Sequence, residues 1–256
     1  VSSAASDVYK RQDECLFYQH FTFSPELTGT EEHVAMLTAQ QEKFDLNTNH
    51  TIYVVANSTE TIPTTGLSLP QLKALAAPTL DADKKQDTFL MDGKQTMVLN
   101  DGVVINKEIP VVLKRAAAKI RISLNYMNGY TSIDNRIPSK KMVNYAASGS
   151  SIADGNIDIP NLQSMNSFTE QNTGAGNNNQ FILYSYANDW TKDTERETYV
   201  LINVPVKDAG GNTIDQNYYK IPVNYRLPDG STNQAESLYK LERNRLYDCL
   251  LYTSDA

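Results

Sequence analysis

The sequence predicts a mainly β protein of packed sheets with one short helix, and three observations lead there. The first is strict alternation. In 118–126, Ile120, Ile122, Leu124 and Tyr126 fall on one side and Lys119, Arg121, Ser123 and Asn125 on the other. Successive side chains of a strand point to opposite faces of the pleat, so this is a half-buried strand. The second is composition: the chain holds 15 Tyr, is rich in Asn and Thr, and has few strong helix formers. The third is punctuation, with apolar runs of strand length closed by Asn, Gly or Pro.

Taken in order, 16–23 (L-F-Y-Q-H-F-T-F) is the first predicted strand. Residues 34–46 read as strand, turn, strand, although a short helix also fits. Residues 49–57 (N-H-T-I-Y-V-V-A-N) form a strand ending in a turn residue. Residues 69–77 (L-P-Q-L-K-A-L-A-A) form a helix of one to two turns. Pro70 fits its first turn, where a missing N–H has no intrahelical partner, and Pro78 stops it. Phe89-Leu90-Met91-Asp92-Gly93 reads as a strand end. Asn100-Asp101-Gly102 joins 97–99 to 103–105 as a hairpin. Val111-Val112-Leu113 and 118–126 read as two strands hinged at Ala116-Ala117-Ala118. The alanines alone suggest helix, but the β-branched flanks and short runs favour strand, bend, strand. Beyond Asn128 the polar tract 166–180 is loop-like, and 141–145 and 181–186 are strands. Residues 198–206 and 217–225 form a hairpin around Ala209-Gly210-Gly211-Asn212. Pro205 and Pro222 cannot donate to a ladder, which puts each at an edge or a bulge.

The formal net charge of −7 over 256 residues leaves no electrostatic footprint for nucleic acid. No run of 18 apolar residues occurs. His20, His33 and His50 are not at metal-ligand spacing and read as surface or strand-end residues. Asp81, Asp83 and Asp87 have part of a calcium-loop spacing, but Lys85 takes one ligand position and the sharp-turn Gly is missing. Gly174 and Gly176 precede a strand, not a helix, so they build no phosphate cradle. The motifs of serine hydrolases, P-loops and dinucleotide folds are missing. No catalytic, cofactor or metal site is therefore expected. Trp190, the one Trp, reads first as a core or strand-end aromatic; the alternative is an adhesive contact, because aromatic rings give contact area at low entropic cost.

Several spaced blocks resemble the fimbrillin family, the subunits of type V pili and their cell-surface relatives. L-K-R-A-A-A-K-I at 113–120 is similar to that family's R-x-x-A-K-I/V motif, through Arg115, Ala118, Lys119 and Ile120. L-E-R-N-R-L-Y-D at 241–248 is similar to its near-terminal L-x-R-N-x-x-Y-D-V block, through Arg243, Asn244 and Tyr247. Residues 53–57, 89–93, 141–145 and 181–190 resemble further blocks in the family's order. Asp92 stands where Ser is usual and Ala187 where Glu is usual. The resemblance implies two β-sandwich domains of transthyretin-like, Greek-key type, here 13–127 and 128–248. It implies a non-enzymatic structural subunit, exported by a signal peptide, anchored to the outer membrane by lipid and polymerised by donor-strand exchange with other pilus subunits. The alternative it implies is a tip or accessory adhesin, or a solitary surface lipoprotein, binding a host or bacterial glycan or protein. Family stalk subunits are cut after an Arg that follows the first strand. Between Asp13 and Lys114 this chain has no Arg, so the cut lies upstream, at a residue such as Lys43, or nowhere.

The two ends read differently. Residues 1–12 (V-S-S-A-A-S-D-V-Y-K-R-Q) resemble the conceptual translation of a transposon-type sequencing adapter, and 249–256 (C-L-L-Y-T-S-D-A) resemble the same adapter on the opposite strand. The expectation is that both are library read-through and that 13–248 is the natural segment. Cys249 falls in the second of these, which leaves Cys15 with no internal disulfide partner.

Overall fold

The computed structural model describes residues 2–9, 15–23, 45–84, 88–98, 109–155, 161–170, 180–224 and 238–253. The expected strands at 34–44 and 103–105, the turn at 100–102, His33, Asp87 and Gly174/Gly176 lie outside the described residues. The chain forms two compact units. One comprises Val1–Pro78, Gln86–Ala116 and Gly149–Ile159, and the other Thr79–Lys85, Ala117–Ser148 and Pro160–Ala256.

The first unit holds β1 (Ser2–Tyr9), β2 (Cys15–Phe23), β3 (Asn49–Ala56), helix α1 (Leu69–Lys73), β4 (Met91–Val98) and β5 (Lys114–Arg115). Its strands form one antiparallel sheet in the order β2-β1-β3-β4-β5. β3 is a strand because Ile52, Tyr53, Val54 and Val55 are β-branched or aromatic. It ends where Asn57 turns left-handed, with φ 61°. The Asn57 amide then donates to the Phe89 carbonyl at 2.8 Å. α1 starts at a capping box: Ser68 N–H donates to Gln71 Oε1 at 2.9 Å, and Gln71 N–H donates to Ser68 Oγ at 3.4 Å.

Three expectations are corrected in this unit. The helix ends at Lys73, not Ala77, because residues 75–77 pair elsewhere. Ala77 N–H donates to Gly149 O at 2.8 Å, and Ser151 N–H donates to Leu75 O at 2.9 Å. Tertiary ladder bonds outweigh the weak propensity of two alanines. Val111-Val112-Leu113 is not a strand, and Val112 is 74% exposed. Only Lys114–Arg115 of the first arm joins the sheet, while the bend at Ala116-Ala117 stands as expected. Met91-Asp92-Gly93 begins β4 rather than ending a strand.

The second unit holds β6 (Ala118–Asn125), β7 (Thr131–Ser132), β8 (Ser139–Val143), β9 (Tyr145–Ala146), β10 (Leu162–Gln163), β11 (Thr169–Glu170) and β12 (Gln180–Ser185). It continues with β13 (Asn188–Asp189), a single 3-10 turn at Thr194–Arg196, β14 (Tyr199–Asn203), β15 (Val206–Lys207), β16 (Thr213–Ile214), β17 (Tyr218–Pro222), β18 (Lys240–Leu241) and β19 (Leu246–Tyr252). The two main sheets are β11-β8-β14-β17 and β12-β6-β19. β6 pairs antiparallel with β12 and parallel with β19, so it groups with this unit. Along this stretch the chain passes from the first unit to the second between Ala116 and Ala117.

The alternation of β6 appears as expected, with Ile120, Ile122 and Leu124 buried and the intervening residues less so. These three join Phe181 and Leu183 of β12 and Leu251 of β19 in one core with Met142 of β8, Val200 and Ile202 of β14, and Tyr219 of β17. Two sheets sharing one core form a sandwich. Pro222 ends β17, an edge strand, and Pro205 separates β14 from β15. Neither is asked for a mid-sheet N–H.

Candidate functional site: a strand slot

β1 sits inside its sheet and carries two ladders. On one side it runs from Ser2↔Phe23 to Tyr9↔Cys15, with a register shift between Val8 and Tyr9. On the other it runs from Ala4↔Ala56 to Tyr9↔Thr51. β2 and β3 are each joined to β1 and not to one another. The place of β1 is thus a slot with a row of main-chain donors and acceptors on each side. An extended segment gains affinity there from backbone hydrogen bonds, which any sequence can make.

The far side of this sheet is held by contacts that bring distant residues together. At Gly93 a Cβ would lie 2.4 Å from the Val112 carbonyl oxygen, so only glycine lets the 111–112 segment cross β4 this closely. The buried Asp92 carboxylate accepts the Ala153 N–H at 2.8 Å. Asp154 accepts from Lys94 Nζ at 2.9 Å and from the Tyr53 hydroxyl at 3.0 Å. Partial burial pushes the Asp154 carboxyl up, but the bonds from Lys94 and Tyr53 prevail and hold it below the usual range. Nothing local in the sequence marked Asp154, which is 101 residues from Tyr53.

The residues that carry the family resemblance are placed as follows. Arg115 ends β5 and is exposed. Ala118 and Ile120 are fully buried in β6, with Lys119 facing the other way. Asn244 turns left-handed, with φ 58°, and its N–H donates to Ala117 O at 3.2 Å. Lys119 N–H donates to Arg245 O at 2.9 Å. Tyr247 pairs with Ile120, and its hydroxyl accepts the Glu242 N–H at 2.8 Å. Arg243 lies in the same turn. Ala118, Lys119 and Ile120 therefore meet Asn244 and Tyr247, with Arg121 and Asp248 forming a two-point ion pair across the same strands. The Arg121 guanidinium holds Asp248 below the usual carboxylate range. Burial, then the Asp248 charge, pushes the Cys249 thiol up to about 11.

Trp190 takes the core reading and not the adhesive one. It is 2% exposed and belongs to the core of the second unit, so its ring is not available as an adhesive contact. Its large apolar surface outweighs its position beside a turn. Asp83 of the calcium-like spacing is ion-paired to Lys140 at 2.7 Å. Among the described residues no group of three or more His, Cys, Asp or Glu side chains is placed to hold a metal. His20 is exposed, while His50, at the start of β3, is buried with Nε2 2.8 Å from the Asp45 carbonyl.

No family model and no curated protein matches the chain. Solved structures do. The tip fimbrial protein Mfa3 of Porphyromonas gingivalis, truncated at its C-terminus, aligns with TM-score 0.64 at 16% identity, covering 98% of this chain and 88% of that one. A fimbrilin (fimA) of Porphyromonas gingivalis W83 aligns with TM-score 0.63 at 14% identity, covering 98% and 90%. A fimbrial assembly protein of Parabacteroides distasonis aligns with TM-score 0.53 at 12% identity, covering 99% and 85%. The chain has a fimbrillin-like fold.

Proposed function

We propose that this chain is a non-enzymatic structural subunit of a bacterial surface fimbria, joined to its partners by strand addition. The single observation that carries this reading is the slot: among the described residues, β2 and β3 are each hydrogen-bonded to β1 and not to one another. A strand delivered by another subunit would restore both ladders, and its alternate side chains would set the register. The fimbrillin-like fold supports the surface role. Export by a signal peptide, a lipid anchor in the outer membrane and donor-strand exchange follow the family resemblance. The adapter-like reading of 1–12 belongs to the same proposal. It makes β1 a stand-in for an incoming strand, paired through its backbone on both sides.

The chain without residues 1–12 tests this. It should elute as a monomer on size exclusion. Adding a peptide of residues 2–9 should then slow amide exchange in β2 and β3. A ladder of oligomers without added strand, or exchange in β2 and β3 that ignores the peptide, would remove the reading. A second role on the same scaffold, an accessory adhesin, is favoured by one other observation: an open polar groove in the second unit.

A further inference from the structure

The groove has a volume of about 740 Å³ and runs between residues 79–83 and the edge segment 163–169, all within the second unit. Both walls are anchored. Leu80 N–H donates to Ala147 O at 2.8 Å, and the Ala82 carbonyl accepts the Tyr184 N–H at 2.9 Å. Opposite, Gln163 pairs with Tyr145, Met165 N–H donates to Met142 O at 2.9 Å, and Thr169 pairs with Lys140. One buried ammonium ties the walls together. Lys140 Nζ lies 2.7 Å from Asp83 Oδ1 on one wall, and 3.3 Å from Thr169 Oγ1 and 3.2 Å from Glu170 O on the other. The Thr169 hydroxyl donates across to Asp83 Oδ2 at 2.6 Å. A cleft braced in this way is formed before any ligand arrives.

The groups left over define the ligand. Lys140 neutralises Asp83, so no cation of the lining remains for an anionic ligand. Asp81 is exposed, and one of its oxygens accepts the Asp83 N–H at 3.1 Å. Asn166 and Ser167 are exposed, and their side chains have no hydrogen-bond partner among the described residues. Gln163 receives the Tyr145 hydroxyl on Oε1 at 3.4 Å, which leaves its amide protons to donate. A carboxylate that only accepts, amides that give and receive, and a free hydroxyl match a ligand whose every hydroxyl both donates and accepts. Leu80, Tyr145 and Met165 are the apolar residues of a lining that is otherwise polar. The volume lies within the roughly 300–1,000 Å³ of small-molecule clefts.

We propose that this groove binds a neutral oligosaccharide, with Asp81, Gln163, Asn166 and Ser167 reading its hydroxyls; the proposal rests on the adhesin reading. The test is an array of neutral and acidic oligosaccharides probed with the full chain, followed by calorimetry on the best neutral ligand. Asp81→Asn and Asn166→Ala are at exposed positions, so melting curves should match the parent. Each should weaken binding roughly tenfold, the loss of one strong hydrogen bond. A carbohydrate signal that survives both substitutions, or acidic sugars alone, overturns the groove and leaves the adhesin reading standing. Binding of no carbohydrate overturns the groove proposal and leaves the adhesin reading to a protein target. Displacement of the sugar by an oligolysine peptide at lower concentration assigns the groove to a basic peptide and overturns the proposal.

Discussion

The two units solve the same problem with different completeness. The second packs two sheets over one shared core, and its terminal strand β19 contributes Tyr247, Cys249 and Leu251 to that core. The first has, among its described residues, one five-stranded sheet whose inner strand, β1, is engaged through backbone ladders on both sides. A strand tied in by core side chains is specific to its own sequence. A strand tied in by main-chain bonds can be replaced by another of similar length. The contrast is between a strand described through the core side chains it supplies and one described through its two backbone ladders.

The largest effect should come from the second unit. Phe181 is 1% exposed in its core, and Phe181→Ala should cost about 3–5 kcal/mol in denaturant unfolding. Amides of β3 should keep most of their protection against exchange. Equal loss in β3 and β6 would show that the units melt together and would break the comparison. Next, Gly93→Ala places a methyl group against the Val112 carbonyl and should destabilise by about 1–3 kcal/mol, read chiefly in β3 and β4 amides. An unchanged melting point would mean that the 111–112 segment moves aside freely. The smallest effect is electrostatic. The folded-state value of Asp154 lies below its ordinary one, so its contribution is present above the usual carboxylate range. That contribution is lost as pH falls through the folded value. With a third of the side chain exposed, solvent screening limits this to about 1 kcal/mol or less. Asp154→Asn should therefore flatten the acid limb of the stability curve. An acid limb identical to the parent's would contradict it.

What the sequence disclosed was local. The alternation of β6, the apolar run of β3 with its closing Asn57 and the Pro70 helix start are each written in a few adjacent residues. So was the strand, turn, strand character of the 198–225 region. What it concealed depends on partners far along the chain. The helix stops early because residues 75–77 pair with 149–151. Val112 lies exposed because the arm it belongs to begins pairing only at Lys114. Trp190 could be read as core or as surface, because nothing near it in sequence announces the core that receives it. Asp154 and the Lys140 brace belong to the same class: each is an ordinary charged residue until the fold supplies its partner. The slot that β1 fills emerges only from strand order.

The position of β19 carries a consequence for timing. Asp248 meets Arg121 across 127 residues, through a parallel pairing that no hairpin can nucleate. The first unit similarly needs Ser151 and Asp154 before its edge is tied. Neither unit can finish while much of the chain is still being made, and contacts this remote form slowly. Each unit therefore closes only after a remote segment of the chain has been made.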